Sequence, residues 1–317
     1  MGITKWLVAA LCGGSLAFIS WQSNLASVEV NTKEELGEKL FSDPILSRGR
    51  AISCASCHIP QFAFADTAAF SIGDKGTRLT RNSPALTNLS GRTDFFWDGR
   101  AASLEEQVLG PLSAHDEMDL PVDQAVERLK KDDFYSAAFR KVFKSEVNNK
   151  NLPGAIAAFE RTLETTDTPY DRYLDGDEKA LSAAAVRGRM LFIGKANCAT
   201  CHSGEDFTAD RFKSIGLFNG KELNDPGRFK ITKDSAHIGL FKVPGLRNVA
   251  VTAPYMHNAM FKTLREVVQY YNTPDKFVSN PVNRDLSLGS GLNLSDKEVD
   301  DIVAFLEALT DDRFRQK

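Results

Sequence analysis

Two short segments of the sequence combine cysteine and histidine in the same order. They read CASCH at 54–58 and CATCH at 198–202. In a CxxCH segment the two thiols add to the vinyl groups of a haem, and the adjacent histidine binds the iron from one side. The sequence therefore predicts two covalently bound haem c groups. The residues predicted to hold them are Cys54, Cys57, His58, Cys198, Cys201 and His202.

Two other chemistries use paired cysteines and must be weighed against haem. A zinc site built from four cysteines does not need a histidine directly after each second cysteine. A redox dithiol of the thioredoxin type needs a βαβ setting, and this sequence lacks one. The remaining histidines are His115, His237 and His257. The second axial ligand of each iron then decides the function, because an open iron face binds small molecules whereas a closed one only transfers electrons.

The elements around these motifs have helical rather than strand patterns. Apolar spacing and caps predict helices, with Ser103 and Glu106 as a capping box. The predicted helices are 33–41, 103–109, 121–131, 133–143, 155–163, 182–192, 264–271 and 295–309. Residues 52–90 and 196–252 are predicted as long loops. We expect a mainly α protein with two domains, 27–170 and 171–317, separated in the polar stretch 166–177, and each domain surrounds one haem.

Composition agrees with an ordinary globular protein. The chain has 317 residues, a formal net charge of −3, 42% hydrophobic and 26% charged residues. These values exclude a collagen, a membrane bundle and a disordered chain. Near-neutral charge without long basic runs predicts no nucleic-acid partner. Five cysteines are too few for a disulfide scaffold.

The first 26 residues are predicted to be a signal peptide, cleaved near Ala26. Lys5 precedes an apolar run of about 15 residues that ends at Ser20. A retained anchor is the alternative, but the run is shorter than the roughly 20 residues that span a bilayer. A lipoprotein site at Cys12 is disfavoured by the bulky Leu11. We therefore expect a periplasmic protein without stable membrane insertion, whose only tryptophan after cleavage is Trp97.

Several long motifs stand in order around the haem segments: ELGEKLFSDPILS (35–47), RNSPALTN (81–88), FFWDGRAASLEEQVLGPL (95–112), DEM (116–118) and FKVPGLRNVAVTAPYMHNAMFKTLREVVQYY (241–271). Through them the sequence resembles the bacterial dihaem cytochrome c peroxidases and their relatives of the MauG type. The resemblance covers nearly everything after the signal segment. It implies two cytochrome c-like domains, with an open haem in the first and a six-coordinate haem in the second.

The resemblance also implies roles for residues near the first haem. Trp97 corresponds to an electron conduit between the haems, where the alternative is a buried aromatic of the core. Glu117 corresponds to the acid–base glutamate on the open haem face, where the alternative is a solvated loop charge. Gln107 and Pro111 correspond to residues that line the same pocket.

A calcium site between the haems is implied as well. Asn82, Thr252 and Pro254 match its positions, with a side-chain amide and backbone carbonyls as ligands. Oxygen ligands of this kind suit Ca²⁺. His257 matches a histidine that does not bind iron, and we expect it to have a structural, hydrogen-bonding role.

The sequence departs from the family's peroxidases at the first haem. Members that need reductive activation carry a histidine between the first CxxCH and RNSP, where it closes the first iron. Here Asp74 occupies that position, and residues 59–80 contain no histidine. His115 is the only conceivable substitute. The first haem is therefore expected to be open at rest.

A second departure lies at the other haem. The peroxidases have methionine fourteen residues after the PYxH histidine, whereas this chain has Tyr271, as MauG does. A phenolate ligand favours oxidised iron. The alternatives are that Tyr271 is a buried helix aromatic, or that Tyr270, Met256 or Met260 binds the iron instead.

These features predict a periplasmic MauG-like dihaem enzyme in which hydrogen peroxide reacts at the first haem and Glu117 moves the proton. Both haems would then share two oxidising equivalents through Trp97 in a high-valent state and oxidise a partner protein. Because no second tryptophan remains, the surface tryptophan route of MauG is either missing here or replaced by a tyrosine such as Tyr255 or Tyr270. The alternatives are a cytochrome c peroxidase that takes electrons from a small cytochrome, a dihaem electron-transfer cytochrome, and a haem sensor.

Overall fold

The structure is a computed structural model that describes residues 29–289 and 291–315. The predicted signal peptide, residues 1–26, lies outside this range. Among the described residues, no helix combines the length and apolar character needed to cross a membrane.

The described residues form a mainly helical protein, as expected. The two short strands, β1 (Phe212–Lys213) and β2 (Phe241–Lys242), pair antiparallel. The helices are α1 (Lys33–Ser42), α2 (Leu104–Ser113), α3 (Val122–Lys130), α4 (Asp133–Phe143), α5 (Asn151–Glu160), α6 (Pro169–Leu174), α7 (Ala183–Ile193), α8 (Phe229–Thr232), α9 (Leu264–Asn272) and α10 (Asp296–Glu307).

The first core forms where α1 crosses α5. A capping box between Thr32 and Glu35 starts α1, and its buried face includes Leu36 and Leu40. A Cβ atom on Gly37 would overlap the carbonyl oxygen of Ala155, so the two backbones touch at the crossing. Burial of each leucine side chain contributes about 2 kcal/mol. This crossing supports the loop that carries the first CxxCH segment.

The second core repeats this construction with α7 and α10. A Cβ atom on Gly188 would overlap the carbonyl oxygen of Asp301. Next to this crossing, the rings of Phe192, Phe207 and Phe305 pack edge to face. Each CxxCH segment therefore lies beside its own pair of crossed helices.

Helix ends differ from the sequence expectations in two places. Helix α2 continues to Ser113 through Pro111, and α5 begins at Asn151 rather than 155. The Ser103 hydroxyl accepts the Glu106 amide at 3.1 Å, but the Glu106 carboxylate accepts the amide of Ala102 at 2.8 Å instead of closing the predicted box.

The polar stretch 166–177 also contains helix α6. A capping box of Thr168 and Asp171 starts it, with Pro169 in its first turn. Tyr170 packs against Phe207 and Phe305, with ring centroids 5.4 Å apart in both pairs. The predicted boundary between residues 170 and 171 falls inside this helix and stays a prediction.

The long loops 52–90 and 196–252 contain short 3-10 turns. The second loop also holds β1, β2 and α8, which the sequence pattern did not indicate. Each loop carries a CxxCH segment near its start, and the rest of the loop folds next to that segment.

Candidate haem sites and the residues between them

Both CxxCH segments adopt the same backbone conformation. Each begins with a 3-10 turn, Cys54–Ser56 and Cys198–Thr200. In each, the histidine amide donates to the carbonyl of the first cysteine at 2.9 Å. All four cysteines are free thiols, half-exposed to the adjoining space. The structure therefore brings two thiols and one imidazole together at each site.

The two histidines are half-buried and held by backbone carbonyls. Nδ1 of His58 donates to Phe64 O at 3.0 Å, and Nδ1 of His202 donates to Phe207 O at 2.9 Å. A carbonyl only accepts, so Nδ1 must carry the proton and Nε2 is the nitrogen that can bind iron. Burial also lowers the pKa of both imidazoles, which keeps them neutral as ligation requires.

The thiols do not fit the competing chemistries. Burial raises the pKa of Cys54 and of Cys198 to about 12, which opposes the thiolate that a redox dithiol needs. No cluster of three or more His, Cys, Asp or Glu side chains suited to a metal ion occurs in residues 29–289 and 291–315. The donor sets fit covalent haem instead.

Glu117 lies beside the first site. Burial raises the pKa of its half-buried carboxyl, Asp116 raises it further, and Arg100 opposes the shift. Burial also raises the pKa of the Cys57 thiol, and the negative charges of Asp66 and Glu117 add to that effect. Glu117 therefore shares an environment with the haem-binding cysteine, unlike a fully solvated loop charge.

Pro111 and Gln107 share one face of α2, because they are four residues apart. The carbonyl of Pro111 accepts the amide of Met118 at 3.1 Å, which places the end of α2 directly beside the Glu117 loop. Both side chains are half-buried. The structure thus brings Pro111 and Glu117 together and puts Gln107 one turn away.

Asp74 stands where the resemblance implies an activating histidine, and its side chain binds the backbone of residues 49–51. The Asp74 carboxylate accepts the amides of Gly49 at 2.7 Å and Ala51 at 3.4 Å. Its own amide donates to Glu117 O at 2.8 Å. A Cβ atom on Gly73 would overlap Asp116 O, so only glycine allows this approach. The loop that closes the iron in other members is fixed here by its own contacts.

His115 does not face the first site. Its side chain is 79% exposed and lies 3.0 Å from the carboxylate of Asp119. Lys75 Nζ lies 3.1 Å from its Nδ1. His115 is therefore held in a surface ion cluster, away from the first iron position.

Trp97 lies between the two halves of the chain. Its indole Nε1 donates to Asn82 O at 2.8 Å, and its carbonyl accepts the Lys242 amide at 2.8 Å. The ring is edge-on to the His257 ring at 6.3 Å. The indole thus contacts segments that follow each CxxCH motif.

His257 combines a stacked ring with a hydrogen bond through its backbone. Its ring stacks on Phe241 at 3.6 Å and makes no hydrogen bond to the described residues. Burial lowers its pKa to about 4, so the ring is neutral. Its hydrogen bond comes from the backbone, where the carbonyl accepts the Asn82 amide at 2.8 Å.

This backbone bond places Asn82 beside the loop that holds Thr252 and Pro254. The Asn82 side-chain nitrogen donates to the carbonyls of Ala68 at 3.2 Å and Ala69 at 3.3 Å. Its amide oxygen must therefore point the other way. Within the described part of the chain, Oδ1 of buried Asn82 accepts no hydrogen bond, and an amide oxygen is a ligand type that calcium binds.

The neighbouring tyrosines of α9 have different environments. Tyr270 is 1% exposed and its hydroxyl donates to Ile215 O at 2.5 Å, which excludes it as an iron ligand in this arrangement. The Tyr271 hydroxyl has no hydrogen-bond partner among the described residues. Burial raises the pKa of Tyr271, and the nearby Cys198 and Cys201 add to the shift. Tyr271 is therefore close to the thiols of the second CxxCH segment, and it packs on the same apolar cluster as Met256 and Met260.

Comparisons with known proteins agree with this geometry. A family model for the di-haem cytochrome c peroxidases matches residues 31–179, and a cytochrome c model matches residues 185–310. The methylamine utilization protein MauG of Methylorubrum extorquens is 40% identical over 280 residues, which cover 87% of this chain and 78% of that protein. The chain belongs to the dihaem cytochrome c peroxidase and MauG family.

Two further comparisons agree with membership of this family. The cytochrome c peroxidase Ccp of Escherichia coli K12 is 39% identical over 283 residues, covering 87% of this chain and 58% of that protein. The crystal structure of a MauG-like protein associated with microbial copper homeostasis superposes with a TM-score of 0.81 at 31% identity, covering 89% and 92% of the two chains. The predicted fold of two cytochrome c-like domains and the peroxidase-type oxidoreductase class are confirmed.

Two cytochrome c domains imply two haem c groups in this dihaem peroxidase. The contacts that orient the iron-binding histidines were not found from the sequence, because the carbonyls of Phe64 and Phe207 are backbone groups without a side-chain signature. The ion pairs between the two halves of the chain were not found from the sequence either. Arg92 binds Asp206 and Arg81 binds Asp225 across the halves, at 2.6 Å each, and Arg81 also binds Asp98 of its own half at 2.6 Å. The only sequence signal for these ion-paired residues was their position near the RNSP and CxxCH motifs.

Proposed function

We propose that this protein is a periplasmic, MauG-like dihaem enzyme that uses hydrogen peroxide to oxidise a partner protein. The observation that carries the proposal is the fixed position of Asp74, whose carboxylate binds the Gly49 and Ala51 amides. No histidine of the 59–80 loop is available to close the first iron. That iron, held by His58, would be open to peroxide without prior reduction.

Glu117 supplies the acid–base group of the proposed reaction. His58, Cys54 and Cys57 would hold the first haem, which would supply the two-electron chemistry with peroxide. The Glu117 carboxylate would accept the proton of the inner oxygen and return it to the outer one, which then leaves as water. Its raised pKa suits this task, because an acid–base group works best when its pKa approaches the working pH.

Trp97 and Tyr271 would distribute the oxidising equivalents. The Trp97 indole contacts Asn82 and His257 between the two sites, so it offers a route for an electron from the second haem to the first. Tyr271 would bind the second iron through its unpartnered phenol oxygen. As a charged oxygen donor it would favour the oxidised state of that iron.

The electrons that complete the reaction are proposed to come from a partner protein. Tyr255 and Tyr270 are the proposed entry points. The Tyr255 hydroxyl donates to Val249 O at 3.0 Å, and Tyr270 donates to Ile215 O. A small cytochrome is the second candidate donor. The chain is 40% identical to MauG and 39% identical to Ccp, so sequence identity favours neither donor.

We further propose a calcium ion between the haems, bound by Asn82, Thr252 and Pro254. The two Asn82 side-chain donor bonds leave its amide oxygen free, and the Asn82–His257 backbone bond brings the 252–254 loop to it. Backbone carbonyls and one amide carry no net charge, so additional waters would complete the shell.

Spin state and activation test the proposal. The oxidised holoprotein should show one high-spin and one low-spin haem in EPR, and it should react with peroxide without prior reduction. Two low-spin signals together with a strict need for reduction would contradict the proposal and favour a cytochrome c peroxidase of the activated type. Two low-spin haems that never react with peroxide would favour an electron-transfer cytochrome.

A further inference from the structure

A buried ion cluster connects the first half of the chain to the turn that follows the second haem motif. Arg92 is only 12% exposed, and its two terminal nitrogens bind different carboxylates. One binds Asp206 at 2.6 Å, and the other binds Asp210. One planar guanidinium thus bridges both ends of the 206–210 segment, a geometry that a lysine cannot reproduce.

That segment has a backbone that does not form easily by itself. Phe207 has φ of 55° and Asp210 has φ of 48°, both in the left-handed region. A large side chain in that region is disfavoured by roughly 1–3 kcal/mol and persists only when surrounding contacts hold it. The two Arg92 ion pairs flank Phe207 and supply such contacts.

The same segment orients the second iron-binding histidine. The Phe207 carbonyl accepts Nδ1 of His202 at 2.9 Å. Pro244 O is a second carbonyl near this ring, and its segment is joined to the turn by Thr208 Oγ1, which donates to Val243 O at 2.7 Å. The turn that carries the His202 acceptor is held by Arg92 from the first half of the chain. From the second half, Arg247 lies 3.2 Å from Asp206 and Lys242 lies 3.2 Å from Asp210.

The first haem site lacks this arrangement. Phe64 has φ of 58° and binds His58 in the same way, but its turn is closed by local bonds, with the Ile59 amide donating to Ala65 O at 3.1 Å. Among the described residues, no salt bridge involves positions 59–66. Among the described residues, an ion-pair bridge from the other half of the chain therefore holds the histidine-binding turn at the second site but not at the first.

We propose that Arg92 is a positioning residue for the second haem, acting through Asp206, Asp210 and the Phe207 carbonyl on His202. The inference rests on the proposed ligation of the second iron by His202. A hydrogen bond from Nδ1 to a carbonyl makes the imidazole a stronger donor and favours ferric iron. Loss of the Arg92 bridge should weaken that bond and favour ferrous iron at this haem alone.

The test is Arg92→Lys in the holoprotein, because lysine keeps the charge and loses the bridge. Potentiometric titration should show the second haem shifted three- to tenfold toward the ferrous form, and a tenfold shift corresponds to 59 mV for one electron. Its low-spin EPR g-values should change, and the first haem should not respond. Arg161→Lys is the matched control, since Arg161 forms a two-pronged pair with Glu105 far from this turn.

An unchanged second-haem potential and EPR signal in Arg92→Lys, accompanied by a lower free energy of unfolding, would overturn the proposal and leave Arg92 as a structural bridge. If Arg92→Lys does not retain both haems, Asp210→Asn is compared with Asp285→Asn, which removes an equal charge near Cys201. The reduction potential of the second haem must shift more in Asp210→Asn than in Asp285→Asn, and equal shifts would contradict the proposal. A wild-type protein without a low-spin second haem would contradict the ligation itself.

Discussion

The indole nitrogen of Trp97 donates a 2.8 Å hydrogen bond to the backbone carbonyl of Asn82. The amide of Asn82 donates in turn to His257 O at 2.8 Å, and its side-chain oxygen is the proposed calcium ligand. The proposed electron route and the proposed metal site therefore share one residue. Any change that moves Asn82 should move Trp97 as well.

Calcium removal should stop electron sharing between the haems. Chelation is expected to abolish peroxide-driven oxidation of a reducing substrate, and added Ca²⁺ should restore it. Mg²⁺ should restore it poorly, because it demands a smaller octahedral shell. Steady-state rates measured with the calcium content of each sample provide the test, and full activity in calcium-free protein would contradict the site.

Replacement of Trp97 by phenylalanine should separate the two haems electronically. The change removes the bond to Asn82, at a stability cost of about 1 kcal/mol, and leaves both CxxCH sites intact. After one equivalent of peroxide, stopped-flow spectra should show a response confined to the first haem. Wild-type behaviour of both haems in this variant would mean that Trp97 is only a core aromatic.

Glu117→Gln should keep both haem spectra and slow peroxide-driven oxidation by roughly 10²–10⁴. The wild-type rate should fall as the pH drops through the raised pKa of Glu117, because a protonated carboxyl cannot accept the peroxide proton. The variant should lose this limb of the pH profile. Glu38→Gln, at an exposed position of α1, is the control. A loss of less than about threefold would identify Glu117 as an ordinary loop charge.

Glu160 predicts a pH dependence of stability. It is 4% exposed, and burial raises its pKa to about 8. Between its ordinary pKa and about 8 the folded protein holds a proton that the unfolded chain has released. The free energy of unfolding should therefore decrease as the pH rises through this range, by up to about 1.4 kcal/mol per unit. Denaturation at several pH values should show a shallower slope for Glu160→Gln, and equal slopes would contradict this assignment.

The sequence predicted the parts of the site that depend on side-chain chemistry at fixed spacing. The CxxCH segments fold locally, so each histidine and its cysteines could be grouped without knowing the fold. Asp74, Glu117 and Tyr271 were assigned through the family resemblance, by their places relative to matched motifs, and their roles stay predictions. The helical cores followed from apolar periodicity and caps such as Thr32 and Ser295.

Features that depend on tertiary contacts could not be predicted. Helix α2 passes through Pro111 because packing outweighs the propensity of proline to end a helix. The Phe207 carbonyl and the Arg92 bridge involve a backbone group and residues more than 100 positions apart. The stacking of His257 on Phe241 likewise depends on a contact that no local pattern encodes.

Tyr271 carries the central claim, namely that the second haem stores an oxidising equivalent for a partner protein. A phenolate stabilises ferric and more oxidised iron relative to a methionine ligand. Tyr271→Met should therefore raise the reduction potential of the second haem, by 59 mV for each tenfold shift of its redox equilibrium. Tyr173→Phe is the matched control, because Tyr173 lies on α6 in the same half of the chain and has no proposed role.

The decisive measurement is the near-infrared and Mössbauer spectrum of wild type and Tyr271→Met after one equivalent of peroxide. The account predicts a long-lived intermediate with oxidising equivalents on both haems in the wild type and in Tyr173→Phe, and its absence in Tyr271→Met. Formation of the same intermediate at the same second-haem potential in Tyr271→Met would contradict ligation by Tyr271 and favour an ordinary cytochrome c peroxidase.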